Sequence, residues 1–507
     1  MFQSYKKTKG ESMKQEKSLF AKLKNLIKEN FTLFILALAD LSIMAIPFYM
    51  DNFIPNINAN FKLPQADYSQ AGAIYGFVSL PCYLIGAWLG DKFRSKSLIM
   101  AGIGITGLLG IWYIFVPFIP YFAGVTDQQI TGEILIAVRT QLFVIYGGFA
   151  FATCALFWAP LWKLVKNQNV DHLPEELKEK KVGKNNGIQG MLNGLMGLLI
   201  ALFGTLLFYL SKEDGGTAIL GKVAGVNISF LILISIYTSL IIISLILTLF
   251  FIHEPKTKEP PTFSFKSIID VLKEKTVVLL AILILGVYML QMGLSSYINY
   301  LKNIFLVPTV IVGIVGTFRT YAMRFLIAGW FGRYADKKKS YIPLICIALA
   351  IGMVLVAVAI VLPELNPNQK FDDNSAVSII LQVAACLNLI LLGAVTWAAV
   401  TIRWSPIGTD LGIENHNYAA AVNIISVIAF SPDAFFKQIR SAIERNHHMN
   451  LNDGTQVADK LGNQLILVTV LVFAAIGLAA GIGLHFILKK RRDQIEMVEL
   501  VQIQKST

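Results

Sequence analysis

Charge is scarce in this chain: Asp, Glu, Lys and Arg make up 15% of 507 residues, against 55% hydrophobic residues and a mean hydropathy of +0.61. One water-soluble core cannot bury that much apolar side chain, so a lipid-embedded protein is expected. Cysteine is scarce too. Cys82, Cys154, Cys346 and Cys386 all lie in apolar runs, with neither CxxC pairing nor histidines at ligand spacing, which argues against disulfides and zinc and for free thiols packed between helices. His447 and His448 sit in a polar segment without carboxylates or cysteines at ligand spacing, so no metal and no cofactor is expected. The first thirty residues lack the short apolar core and cleavage site of a secretory leader. A nucleophile elbow, a phosphate-binding loop and kinase signatures are all missing, which excludes the common hydrolase and ATP-driven classes and points away from an enzyme. Gly102, Gly104 and Gly107 spell GxGxxG, but inside an apolar span with no preceding strand; this is helix packing, not dinucleotide binding.

What the chain has in abundance is long apolar runs. Stretches of roughly 20 apolar residues, the length that crosses a bilayer, fall near 32–50, 70–90, 98–120, 139–163, 187–210 and 227–252. A second six follow near 276–299, 309–333, 342–362, 377–402, 418–437 and 464–488. The fold class expected is therefore an all-α membrane protein of twelve transmembrane helices in two pseudo-symmetric six-helix bundles. Its parts are a Lys-rich N-terminal segment (1–30), a first bundle (31–252), a linker (253–275), a second bundle (276–488) and a basic tail (489–507).

The net charge of +12 is spread between the apolar runs instead of over one face, so no nucleic-acid partner is expected. With both termini in the cytoplasm, the inner segments hold roughly 32 of the 44 Lys and Arg. A multi-pass plasma-membrane location with both termini inside follows. Residues 18–31 (SLFAKLKNLIKENF) alternate apolar and Lys positions at helical spacing, as suits a helix on the anionic inner leaflet or a solvated lead-in.

Two loops repeat one chemistry. Ala87, Trp88, Leu89, Gly90, Asp91, Lys92, Phe93 and Arg94 follow the second run, and Gly332, Arg333, Tyr334, Ala335, Asp336 and Lys337 end the eighth. The pair resembles the G-x-L-A-D-[RK]-x-G-[RK]-[RK] loop of the major facilitator superfamily, and the six-plus-six layout extends that resemblance over nearly the whole chain. The first copy departs from it, with Ala87 and Arg94 where the family has glycines. The segments FWAPLWKLVKN (157–167), GIQGMLNGLMG (187–197) and SPDAFF (431–436) are similar to one bacterial branch of the superfamily. The resemblance implies a secondary transporter that works by alternating access, with Asp91, Lys92, Arg94, Gly332, Asp336 and Lys337 as a conformational latch.

Charges inside the apolar runs mark the candidate pathway, because each costs at least about 2.5–3.5 kcal/mol at mid-bilayer on insertion scales. Asp40 lies roughly 13 Å from the start of the first run, near the midplane, where it could exchange protons or form a fixed pair. Arg319 and Arg324 lie roughly 20 Å and 12 Å from the end of the eighth, and an ideal helix sends their side chains roughly 140° apart, so only one is expected to face a central cavity. A buried guanidinium binds carboxylate or phosphate, which points to an anionic substrate, with neutralisation of Asp40 as the rival role. Gln189, Asn193, Gln291, Tyr297, Tyr300, Asn388 and Trp397 are uncharged cavity candidates or helix-packing groups. Arg139 and Asp433 are expected near the outer interface.

The function expected is proton- or ion-coupled movement of a small solute, with an organic anion as the leading class, by a monomer in the lipid bilayer. Drug export is weaker, since GMLNGLMGLLIALFG in the fifth run lacks the GPxxGG of family antiporters, and sugar-phosphate exchange is weaker, since the first run lacks arginine. A transport-like receptor that binds without moving its solute is the alternative from another class.

Overall fold

The computed structural model describes residues 27–54, 56–125, 129–166, 168, 175–211, 220–254, 273–338, 341–365, 375–413, 415–451 and 456–506. Most of the expected amphipathic segment (18–26) and of the linker (255–272) lies outside the described residues.

Eleven helices among the described residues are long and apolar enough to cross a bilayer. They are α1 (Phe31–Tyr49), α2 (Gln65–Gly90), α3 (Ser95–Phe122), α4 (Gly132–Val165), α5 (Lys184–Leu207), α6 (Ile228–Phe251), α7 (Lys275–Asn303), α8 (Thr309–Ala335), α9 (Tyr341–Leu365) and α10 (Ala376–Thr409), with α13 (Lys460–Arg491) last. Between α10 and α13 the expected eleventh span is two helices, α11 (Asn415–Ala429) and α12 (Pro432–Asn446). The break falls where Pro432 has no N–H to donate and its ring would clash with the carbonyl one turn back. Ser431 Oγ bonds the Ile428 carbonyl at 2.8 Å on the N-terminal side of that proline. The tail after 488 continues α13 as helix to Ser506.

Contacts between the first and last six spans run along two seams. On one, α2 packs against α11 and α12; on the other, α5 packs against α8. Advancing each span by six converts the first seam into the second, so the molecule has the expected pseudo-two-fold order. Short hairpins also occur in equivalent places, Lys222–Val223 with Val226–Asn227 before α6 and His448–Asn450 with Gln456–Ala458 before α13. Glycine permits close approach on both seams. A Cβ on Gly76 would lie 2.0 Å from the Ala434 nitrogen, and one on Gly194 would lie 2.7 Å from that of Phe325.

Burial sorts the spans by position. In α1, α4 and α7, 72–78% of the apolar window is buried, against 33% in α9 and 39% in α6. Accordingly α6 presents Ile242, Ile246 and Phe250 on its open face, as a lipid-facing helix should. Gly102 sits where a Cβ would come 2.8 Å from the Ala152 carbonyl, the helix contact expected of that glycine run.

The start of α1 and Arg491 of α13 lie at one end. There Phe31 packs on Phe251 at 5.4 Å, and Arg491 bonds Glu274 at 3.0 Å, holding that carboxyl below its ordinary range. At the opposite end Ser441 Oγ donates to the Ala66 carbonyl at 3.1 Å, Ser69 Oγ to Glu444 at 2.9 Å, and Asp67 meets both Arg139 and Arg445 at 3.5 Å. That opposite end is thus sealed by polar contacts between α2 and α12.

Candidate functional site

Asp40 is the centre of a buried network joining α1, α5, α8 and α10. Gln189 Nε2 and Asn193 Nδ2 donate to Asp40 Oδ2 at 3.0 and 2.9 Å, and Arg324 Nη2 pairs with the same oxygen at 3.4 Å. Arg324 Nη1 donates to Asn193 Oδ1 at 2.6 Å and to the Tyr49 hydroxyl at 3.3 Å, while its guanidinium lies 4.9 Å from the Trp397 ring centre. Asp40 and Arg324 are 3% and 8% exposed. The pair bridges the two halves of the molecule, so any motion that parts them must break it or carry it along.

Arg319 does not point away from this network. Both arginines line one central cavity, which has about 1440 Å³ of empty space counted out into the solvent at its mouth. The angular expectation failed because Phe318–Ala322 is π-helical, as are Ala45–Tyr49 in α1 and Phe151–Phe157 in α4. A π turn absorbs one extra residue, so the five-residue step acts as roughly four α-helical steps and leaves the side chains roughly 40° apart. Trp397 Nε1 fixes the segment by donating to the Arg319 carbonyl at 3.1 Å.

Gln189, Gln291 and Trp397 also line the cavity, and Asn193 reaches the site through Asp40 and Arg324. Tyr297 and Asn388 are not brought there. Asn388 Nδ2 donates to the Tyr297 hydroxyl at 3.2 Å and to the Leu355 carbonyl at 3.0 Å, tying α7, α9 and α10 together away from the cavity lining. Tyr300 is likewise buried outside the lining.

The cavity contains charges that sequence reasoning missed. Arg403, one residue past the tenth apolar run, is 7% exposed and lines the cavity, its guanidinium 5.3 Å from the Trp404 and Phe430 ring centres. Asp433, expected at the interface, is 2% exposed and accepts from the Tyr288 hydroxyl at 2.8 Å. Asp51, Lys437 and Arg440 complete the set. Lys437 donates to the Gly72 carbonyl at 3.3 Å and sits 4.7 Å over the Phe48 ring, spanning from α12 to α2 and α1. Among the described residues the cavity wall therefore has five basic and three acidic side chains; Glu444, behind Arg440 at 2.7 Å, offsets one of the two excess positive charges.

At the repeated loops, Lys92 stacks over Trp88 at 4.9 Å, Arg94 is exposed at the start of α3, Gly332 is buried and Lys337 is exposed. The side chains of Asp91 and Asp336 lie outside the described residues. Among the described residues, the carboxylate that meets the α3 N-terminus is Glu254, which accepts from the Ser95 and Lys96 nitrogens at 3.1 and 2.9 Å. It follows α6 directly, next to a carboxylate-poor run, and no motif marked it.

No protein-family model matches the chain. It is 26% identical over 479 residues to the uncharacterized MG294 homolog of Mycoplasma pneumoniae, covering 93% of each chain. It is 23% identical over 488 residues to the inner membrane protein YihN of Escherichia coli, covering 94% of this chain and all of that one. The crystal structure of a bacterial homologue of the iron transporter ferroportin in its outward-facing state shares the fold, with a TM-score of 0.55 and 11% identity over 91% of this chain and 98% of that one. The chain thus shares the all-helical, multi-span fold of that structure and is a multi-pass membrane protein.

Proposed function

We propose that this chain is a secondary active transporter of the major facilitator superfamily that moves a small organic anion by alternating access, coupled to a proton gradient. The observation that carries the reading is the central cavity itself, enclosed by both halves and walled by more basic than acidic side chains. Buried guanidinium groups in a low-dielectric cavity attract carboxylate and phosphate groups strongly and repel divalent cations. The iron named for the ferroportin homologue is therefore not carried over to this chain.

Coupling follows from the Asp40–Arg324 pair. A proton on Asp40 removes the charge that holds Arg324, freeing the guanidinium for a substrate anion and loosening one link between α1 and α8. Return of the proton to the other side restores the pair. The polar contacts between α2 and α12 close one end of the cavity, the end that alternating access requires to open in turn. Uptake assays in proteoliposomes test the reading: an anionic substrate accumulates when a proton gradient is imposed, whereas a receptor shows binding without flux.

A further inference from the structure

Arg403 makes no hydrogen bond or ion pair with any described residue, and its Nε is sealed from solvent without an acceptor. The indole N–H groups of Trp158, Trp162 and Trp404 are in the same condition. All four side chains line the central cavity. Trp158 and Trp162 come from α4 and are packed edge to face at 5.7 Å, Arg403 and Trp404 come from α10, and Phe430 at the break before α12 backs the guanidinium.

Guanidinium and indole are donor-only groups. Buried donors are normally paired, and a cluster left unpaired in one corner of a cavity calls for a ligand with many acceptors and no donors. A carboxylate offers two oxygens in one plane, which an arginine fork alone satisfies. Further donors beside that fork, on indoles whose rings lie 6.0 Å (Trp158) and 5.3 Å (Trp404) from the guanidinium, suit a tetrahedral oxyanion, whose three or more oxygens do not lie in one plane. The aromatic walls fix the guanidinium and exclude water, which strengthens its hydrogen bonds. Asp40 and Arg324 come from other helices, α1 and α8, so head-group recognition and coupling are assigned to different residues.

We propose that Arg403, Trp158, Trp162 and Trp404 form a subsite for a tetrahedral oxyanion head group, such as a phosphoryl group, on the transported solute. The proposal rests on the anion-carrier reading and adds the head-group class and the residues that select it. It also gives chemical content to FWAPLWKLVKN, the segment that supplies both α4 tryptophans.

The test is calorimetric titration of the purified full-length protein with sodium phosphate, sulfate and acetate at constant ionic strength. Wild type is expected to bind phosphate and sulfate more tightly than acetate. Arg403→Gln, and Trp404→Phe, which keeps an aromatic ring and removes the N–H, should each weaken phosphate binding at least about fivefold. Arg403→Lys should not restore it, because a point charge lacks the fork. Wild-type phosphate affinity in both Arg403→Gln and Trp404→Phe, or acetate bound as tightly as phosphate, overturns the subsite. In that event, loss of anion binding in Arg319→Gln leaves the anion-carrier reading standing. If none of the three anions binds wild type, the carrier reading fails together with the subsite.

Discussion

The buried Asp40–Arg324 pair is where single residues decide most. Removing one partner strands the other charge in a low-dielectric site, which typically costs about 3–5 kcal/mol, whereas removing both is far cheaper. Asp40→Asn should therefore lower the melting temperature of the purified protein and abolish the response of uptake to a proton gradient. Adding Arg324→Gln should recover the melting temperature without recovering the coupling. Asp40→Asn protein that still accumulates substrate in response to a proton gradient contradicts the proton role. Asp40, Arg319 and Arg324 could be found from sequence because a charge within twenty apolar residues has no solvent to reach. Arg403, Lys437 and Arg440 could not, since they sit close to the ends of apolar runs, where charge is ordinary. Their depth depends on the turn after Ile402 and on the break at Pro432, which composition does not reveal.

At the scale of elements, the seams between halves depend on glycine and on helix ends. Gly76 meets the α12 backbone so closely that any side chain there must push α2 and α12 apart. Gly76→Val is expected to hold open the end that α2 and α12 seal. Cysteines placed along the α12 face, in that background, should then react with a membrane-impermeant thiol reagent that leaves the parent unlabelled; equal labelling refutes the closure role. Glu254→Gln weakens a charge-assisted cap on α3 and should cost about 1 kcal/mol, read as a lower unfolding midpoint in denaturant. Span positions were legible because bilayer thickness sets the length of an apolar helix. The two features that periodicity does not encode are the π turn that brings Arg319 into the cavity and the split between α11 and α12.

For the molecule as a whole, the two seams are equivalent under a six-span shift, and alternating access requires them to open at alternate ends. Ala66 and Ser441 face each other across the closed end through a direct hydrogen bond. Replacing both with cysteine should allow a disulfide that stops transport under oxidising conditions and releases it on reduction. The four native cysteines are free thiols within or beside the packed helices and need to be replaced first for a clean result. Transport that continues unchanged while the cross-link is complete rules out opening at this end.

The measurement that bears most directly on the anion carrier is proton-gradient-driven uptake into proteoliposomes of an anionic metabolite, chosen by a thermal-shift screen of wild type. Proton-coupled anion transport predicts saturable accumulation that other oxyanions inhibit and organic cations do not, and that Arg403→Gln and Asp40→Asn both remove. Accumulation inhibited by cations but not by anions, or solute binding with no flux under any gradient, would contradict it.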